Sequence, residues 1–402
     1  MNQGWSGCRK DLRWFVVASL LAGLAMIAGW TGSAVSVVLA VDAAPKTAAP
    51  DTRAADDWPL FRGDSQSSGV ARSSLPAQLE VLWKFAVPGG AFDSTPAIVD
   101  GVVYLGDLDG RLFALDLASG EKRWERKLED GFLAGVAWRD GALYLGDVAG
   151  RFHCFDAKTG ASRWAFATQA EIDSSANFYR DRVLVGSQDS TLYCLQANSG
   201  ELVWKFSIAD QIRCSPTIVE NRAFVAGCDS KLHVVDLDEG REVAAVDIQS
   251  PTGVTPAVRG DLAYFGTEAG AFFAVNWKTG TVAWTFEPEK GSQPFRSSPA
   301  VTADVVIFGG RNKRVHALDP VTGQQRWEFT ARNRIDGSPV IVAGRAFVGA
   351  ADGRLYALDL KTGKAVWQYE AGGGFNGSPA VSRGRLVIAN DNGTVYCLGE
   401  KK

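Results

Sequence analysis

One register position along this 402-residue chain is occupied in turn by Asp93, Leu133, Asp173, Arg213, Gly253, Arg296, Asp336 and Asn376. Gathered around one opening, its three carboxylates, two guanidiniums and one amide would hold a charged small molecule or the charged tail of a protein, through charge-assisted hydrogen bonds. Paired with one another, they would form only a self-compensated polar rim. The sequence leaves both readings open. The other residues with chemistry to offer are less suited to a site. His153, His233 and His316 share one position with Phe113, Tyr193, Phe273, Tyr356 and Tyr396, and they recur in alternate units, so no two are neighbours and a histidine metal cluster is excluded. Asp107, Asp109, Asp147, Asp189, Asp229, Asp352 and Asp391 invite a calcium reading, but they adjoin turn glycines, where Asp is a turn former in its own right. Calcium also needs several oxygens converging at about 2.3–2.6 Å. No metal site is expected. Cys154, Cys194 and Cys397 stand in a small, buried column and read as packing residues. Cys214 and Cys228 flank a turn near Glu220-Asn221-Arg222 at similar distances, so a disulfide across that hairpin is open to them in an oxidising compartment, although adjacent-strand geometry strains it. No nucleophile–base pair stands out, and no residue is assigned as catalytic.

These residues acquire their positions from a repeat. Glycine recurs at 120, 160, 200, 240, 280, 323 and 363, and tryptophan four residues later at 124, 164, 204, 284, 327 and 367, with Ala244 in the fourth unit. Within each unit, short β-rich runs are separated by Asp-Gly, Asn-Gly and similar turn pairs, which implies four strands per unit. Four-stranded units near 40 residues are propeller blades. The last unit stops before its tryptophan strand, and Val81–Val87, carrying Trp83, supplies it. The expectation is all-β: an eight-bladed β-propeller of four-stranded antiparallel blades, closed by an N-terminal strand that completes the last blade and leaves no open sheet edge. If first strands line the axis, the polar column rings the channel mouth. The preceding column, Phe92, Phe132, Ile172, Ile212, Thr252, Phe295, Ile335 and Phe375, then wedges between blades.

Two breaks in the repeat mark a candidate partner-binding face: the missing tryptophan at Ala244 and a connection, Phe286–Pro294, three residues longer than its counterparts.

The N-terminus reads as an address. Residues 14–41 carry no charge and come after Arg9, Lys10 and Arg13, which directs the downstream chain to the far side of a membrane. The stretch is long enough to span a bilayer, yet it ends in small residues with an acceptable cleavage site at Val41-Asp42-Ala43, so residues 1–43 are a signal peptide or a membrane anchor. Residues 44–57 read as a linker and 58–402 as the propeller. With 42 basic against 45 acidic residues, the chain offers no electrostatic footprint for nucleic acid, and it meets a membrane only through that N-terminal segment if uncleaved. A monomeric propeller in the periplasm, or otherwise outside the cytoplasm, is expected.

The string Ala-x-Asp-x-x-Thr/Ser-Gly-x-x-x-Trp appears at Ala114–Trp124, Ala317–Trp327 and Ala357–Trp367, with near matches at Cys154–Trp164, Cys194–Trp204 and Ala274–Trp284. It resembles the tryptophan-docking motif of the PQQ-like β-propeller repeat family, which holds quinoprotein dehydrogenases and BamB-like outer-membrane assembly factors. The prefix Trp58-Pro59-Leu60-Phe61-Arg62-Gly63 is similar to the lead-in of many exported members. The resemblance covers residues 58–399 and implies that Trp83, Trp124, Trp164, Trp204, Trp284, Trp327 and Trp367 dock on neighbouring blades. It implies a non-catalytic, protein-binding scaffold of the cell envelope, with envelope proteins as partners and no cofactor. The chain departs from BamB-like lipoproteins in lacking a lipid-bearing cysteine after the apolar run. The alternative implied by the resemblance is a PQQ-dependent dehydrogenase using calcium. In it Asp93, Asp173 or Asp336 would be the base and Arg213 or Arg296 the quinone clamp, but the adjacent Cys-Cys pair of such enzymes is missing. An extracytoplasmic ligand sensor is a third reading.

Overall fold

The computed structural model describes residues 56–288 and 292–401. The expected export segment 1–43, the expected linker except for Asp56 and Asp57, and the centre of the long connection 286–294 lie outside the described residues.

The local rules of the repeat explain a blade. In blade one, strands 97–99, 102–106, 111–116 and 122–127 pair antiparallel in sequence order. The first hairpin turns on Asp100 and Gly101 with φ of 51° and 72°, the doubly left-handed geometry of a two-residue type I′ turn. Strands two and three are apolar runs buried along almost their whole length, as strands covered on both faces must be. The outermost strand, Lys122–Lys127, is charged and largely exposed, which discourages pairing with other chains.

Eight such sheets form the described molecule, and the eighth is ordered 80–86, 394–399, 385–389, 380–382, so the N-terminal strand completes it. First strands of successive blades contact one another, and the strand at 97–99 contacts that at 380–382, which closes the ring. The described residues form an eight-bladed all-β propeller.

The apolar core lies between blades rather than at the centre: Tyr104 and Leu112 of blade one pack with Phe132 and Leu143 of blade two in one cluster. Six of the eight wedge residues fit a bare glycine of the preceding blade; for Thr252 and Phe92 that position is Ala226 and Ala389. A Cβ on Gly106 would come 2.8 Å from Phe132, and one on Gly349 would come 2.6 Å from Phe375. The tryptophans form a second set of links. The Trp124 indole N–H donates to the Ala157 carbonyl (3.1 Å), Trp327 to Leu360 (2.9 Å) and Trp83 to Leu117 (2.9 Å). Trp164, Trp204, Trp284 and Trp367 donate equivalently to Ala197, Leu237, Pro320 and Leu79. In six junctions the ring lies against the next blade's repeat glycine; Gly363 meets Trp327 and has φ of 70°. Opposite each tryptophan stands the small column, Ala114 beside Trp124 and Cys194 beside Trp204, because an indole leaves no room for a larger side chain.

The segment from Trp58 to Ser73 has no counterpart in the repeat. It winds across one end of the axis. Ile98, Trp138, Ile218, Val258, Val301 and Ile341 donate backbone N–H groups to the carbonyls of Trp58, Pro59, Ser65, Gln66, Ser68 and Gly69. Innermost strands would otherwise leave these donors unpaired at the axis. Arg62, 1% exposed, lies within this belt and donates to the Pro299 (3.1 Å) and Pro339 carbonyls. Burial lowers its pKa to about 9.

Candidate functional site

First strands line the axis, so the chain segments that lead into them surround one mouth of the channel. A narrow axial cavity of about 180 Å³ is lined by Asp93, Leu133, Asp173, Arg213, Gly253, Arg296, Asp336 and Asn376, with Phe61 of the belt also on its wall. The rim column is therefore brought together as one ring. Two residues deeper lies a ring of hydroxyls that sequence reasoning passed over. The N–H of Gly135 donates to Ser175 Oγ, and so on through Ser215, Thr255, Ser298, Ser338, Ser378 and Thr95, at 2.8–3.3 Å. The signal was present as Ser or Thr recurring two places after every rim residue but Leu133, where Gly135 stands.

The rim residues differ in how they are engaged. Asp336 accepts a two-pronged contact from Arg311 (2.9 and 3.0 Å) and a further bond from Arg334 (3.0 Å). Asn376 donates to Asp93 (3.0 Å) across the seam between the last blade and the first. Arg296 is clamped by both oxygens of Glu268 (2.9 and 3.0 Å). Among the described residues, Arg213 has no carboxylate hydrogen-bonded to it. Its Nε donates to the Gln211 side chain (3.1 Å) and Nη2 to that of Gln188 (3.4 Å). Gln188 in turn donates to Asp173 (2.9 Å), whose other oxygen is buried with no hydrogen-bond partner among the described residues. Burial, then the neighbouring Glu171, raise the Asp173 pKa to about 6 against the pull of Arg213.

Between Arg213 and Arg296 the ring has only Gly253. The missing side chain opens the mouth into a cleft of about 530 Å³ that reaches Asp173, Gln211, Glu268 and the thiol of Cys228. A Cβ at Gly253 would come 3.1 Å from the Arg213 Cβ, so glycine also sets where that arginine stands. The partners Gln188, Gln211 and Glu268 lie outside the rim column, and alignment of repeats had no means of finding them.

The disulfide open to Cys214 and Cys228 is not formed in this structure: both thiols are free. The hairpin register sets Thr217 opposite Phe224 and Val219 opposite Arg222. Continued outward, it brings Cys214 against Gly227, one step short of Cys228. Cys214 therefore packs into an apolar cluster, where burial pushes its thiol up to about 12. Cys228 turns the other way, 3.8 Å from the Thr252 carbonyl. The histidines bond within their own blades, His153 to Asp147 (2.7 Å) and His233 to Glu242 (2.6 Å). Turn carboxylates are likewise engaged locally: Asp107 accepts the N–H groups of Asp109 (3.1 Å) and Arg111 (2.7 Å). Among the described residues, no three His, Cys, Asp or Glu side chains converge as a metal site would require.

The break at Ala244 is filled from the other side. Trp277, on blade five, donates to the Gly260 carbonyl (3.0 Å) and packs edge-on against Phe224 at 5.4 Å. In blade one the corresponding aromatic, Tyr104, is met by the docking Trp124 instead. A Cβ on Gly280, where the absent indole would have rested, meets nothing within 4 Å.

With the geometry established, comparison with known proteins gives a consistent result. The family described as "Outer membrane protein assembly factor BamB" matches in overlapping segments, 76–131, 108–205, 149–292 and 188–402. No curated protein sequence matches. Among solved structures, BamB from Moraxella catarrhalis is 22% identical over 81% of this chain and 98% of its own, with a TM-score of 0.69. A europium-containing methanol dehydrogenase is 13% identical over 86% of this chain and 98% of its own, at 0.75. The quinohemoprotein alcohol dehydrogenase of Comamonas testosteroni is 16% identical over 86% and 81%, at 0.73. At these identities the structural likeness establishes the fold alone.

Proposed function

This chain belongs to the BamB outer membrane protein assembly factor family, and from that premise we propose that it is a non-catalytic, exported scaffold that binds proteins in the cell envelope. The observation that carries the reading is the engagement of the mouth. Asp336 is held by two arginines, Arg296 by Glu268 and Asp93 by Asn376, so most of the mouth's charged groups are engaged with one another rather than poised to carry a reaction. A periplasmic location is inferred from reading residues 1–43 as the export segment, with envelope proteins as partners.

The dehydrogenase reading draws on the quinoprotein neighbours and on Asp173, a carboxyl raised toward neutrality as catalytic bases are. The residues present do not fit PQQ held with calcium. Asp336 already carries two guanidiniums, so a cation there would have to displace both, and the described acidic side chains do not converge. A ligand sensor outside the cytoplasm would use the same mouth and the same export segment.

The test is a titration of the purified protein with PQQ, with and without calcium, followed by absorbance and tryptophan fluorescence, alongside cross-linking in the native envelope. Discrete protein adducts and no saturable PQQ binding at tens of micromolar are expected. Stoichiometric PQQ binding with dye-linked alcohol oxidation would overturn the scaffold reading.

A further inference from the structure

Among the described residues, Arg213 is the rim guanidinium that is positioned by hydrogen bonds but has no carboxylate bonded to it. Arg213 is held by two neutral amides, those of Gln211 and Gln188, whereas Arg296 and the arginines at Asp336 are engaged by carboxylates. Amides orient a guanidinium without cancelling its charge, and a guanidinium presents a donor fork matched to a carboxylate. It stands beside the one rim position that carries no side chain, Gly253, and so lines the cleft of about 530 Å³. We propose that this cleft binds the carboxylate of an organic ligand, with Arg213 as its anchor, Gln188 and Gln211 as positioning residues and Gly253 as the gap that admits it.

The surroundings select a singly charged group. Asp173 and Glu268 also line the cleft, and Glu171 stands against Asp173, so a multiply charged anion such as phosphate meets net repulsion. Pro251 and Val254 contribute an apolar stretch of wall suited to the carbon chain behind the carboxylate. When Asp173 is ionised its charge repels the bound carboxylate, and protonation removes that repulsion. Facing Asp173 are Glu171 from its own segment, Gln188 from the next turn and Arg213 from blade four, with Arg296, Asp336 and Asp93 across the ring. Binding therefore takes up a proton and strengthens as the pH falls through the titration of Asp173.

Two sources share this chemistry, a small organic acid and the free C-terminus of a peptide. The inference rests on the scaffold reading only in favouring the peptide. The experiment is calorimetric titration of the full chain with acetyl-trialanine as its free acid, the same peptide amidated, acetate, and inorganic phosphate, between pH 5 and 8. The free-acid peptide binds saturably, and the amide and phosphate bind about tenfold more weakly or worse, the fold-change expected for loss of a charge-assisted hydrogen bond. Acetate equal to the peptide supports the site and makes a small acid its source. Arg213→Gln loses about tenfold or more, and Arg123→Gln, on the outer strand of blade one, loses nothing. Equal binding of acid and amide, no saturable binding of either acid, or undiminished binding by Arg213→Gln overturns the proposal. The acid–amide comparison uses the unaltered protein and stands even if the variant fails to fold. Envelope adducts that persist in Arg213→Gln leave the scaffold reading intact while removing this site from it.

Discussion

The two halves of the ring were built from one repeat and differ in what they leave unfilled. Through blades seven, eight and one, the rim is closed by side-chain pairs, Asp336 with Arg311 and Arg334, and Asn376 with Asp93, and each junction carries a tryptophan on the next blade. Among the described residues of blades three to six, Gly253 interrupts the rim, Arg213 has only amide partners, Asp173 keeps an unpartnered oxygen, and one junction is filled by Trp277 in place of the missing indole at Ala244. The regular half shows what the repeat needs for stability. The irregular half shows where it was released from that need, and there the molecule has room and charge to bind something.

The largest expected effect breaks the regular half. Trp327 is 9% exposed, and Trp327→Ala should cost about 3–5 kcal/mol in denaturant unfolding, the usual loss for a buried large side chain. The irregular junction should respond differently. Ala244→Trp brings a second indole into space that Trp277 occupies and should cost about 1–3 kcal/mol. Pairing it with Trp277→Leu, the residue that blades one, four and seven carry there, should recover much of the loss, with a coupling of about 1 kcal/mol or more in a double-mutant cycle. Additive losses would show that Trp277 does not stand in for the missing ring.

A smaller effect tests the rim. Arg311→Gln removes the two-pronged contact to Asp336 but leaves Arg334, and should cost about 1 kcal/mol, while the carboxylate cleft across the ring keeps its affinity. Asp173 supplies a pH signature with the opposite sign to a salt-bridged acid. Its folded pKa, about 6, lies above the ordinary 3.8, so its contribution is present below pH 3.8 and lost as the pH rises through about 6. Asp173→Asn should therefore leave stability unchanged near pH 3.5 and raise it by about 1 kcal/mol at pH 8, the full shift being discounted for solvent at the rim. Equal effects at both pH values would mean that Asp173 is not strained by its surroundings. The smallest effect belongs to Asp93→Asn, which keeps an acceptor for Asn376 and should stay within about 0.5 kcal/mol.

Sequence alone was enough for the blades, their number and their closure. Turn pairs such as Asp100-Gly101, the fixed interval between glycine and tryptophan, and the unit that stops before its last strand are local or periodic signals, and a repeat reports itself by recurring. It also placed Asp93, Asp173, Arg213, Arg296, Asp336 and Asn376 on one ring, because equal register in a closed array means equal height along the axis. What those residues do there was decided only by the tertiary structure. The groups that clamp Arg296, orient Arg213 and hold Asp336 come from Glu268, Gln188, Gln211, Arg311 and Arg334, at positions where the repeat imposes no common residue. The same holds for the belt from Trp58 to Ser73, which lies outside the repeat and seals the axis through backbone carbonyls that any sequence possesses. Periodicity specifies where backbone runs. Whether a charge is neutralised, a thiol bridged or a gap left open depends on one-step offsets and side-chain reach, as the register that separates Cys214 from Cys228 shows, and those are settled only when the chain is packed.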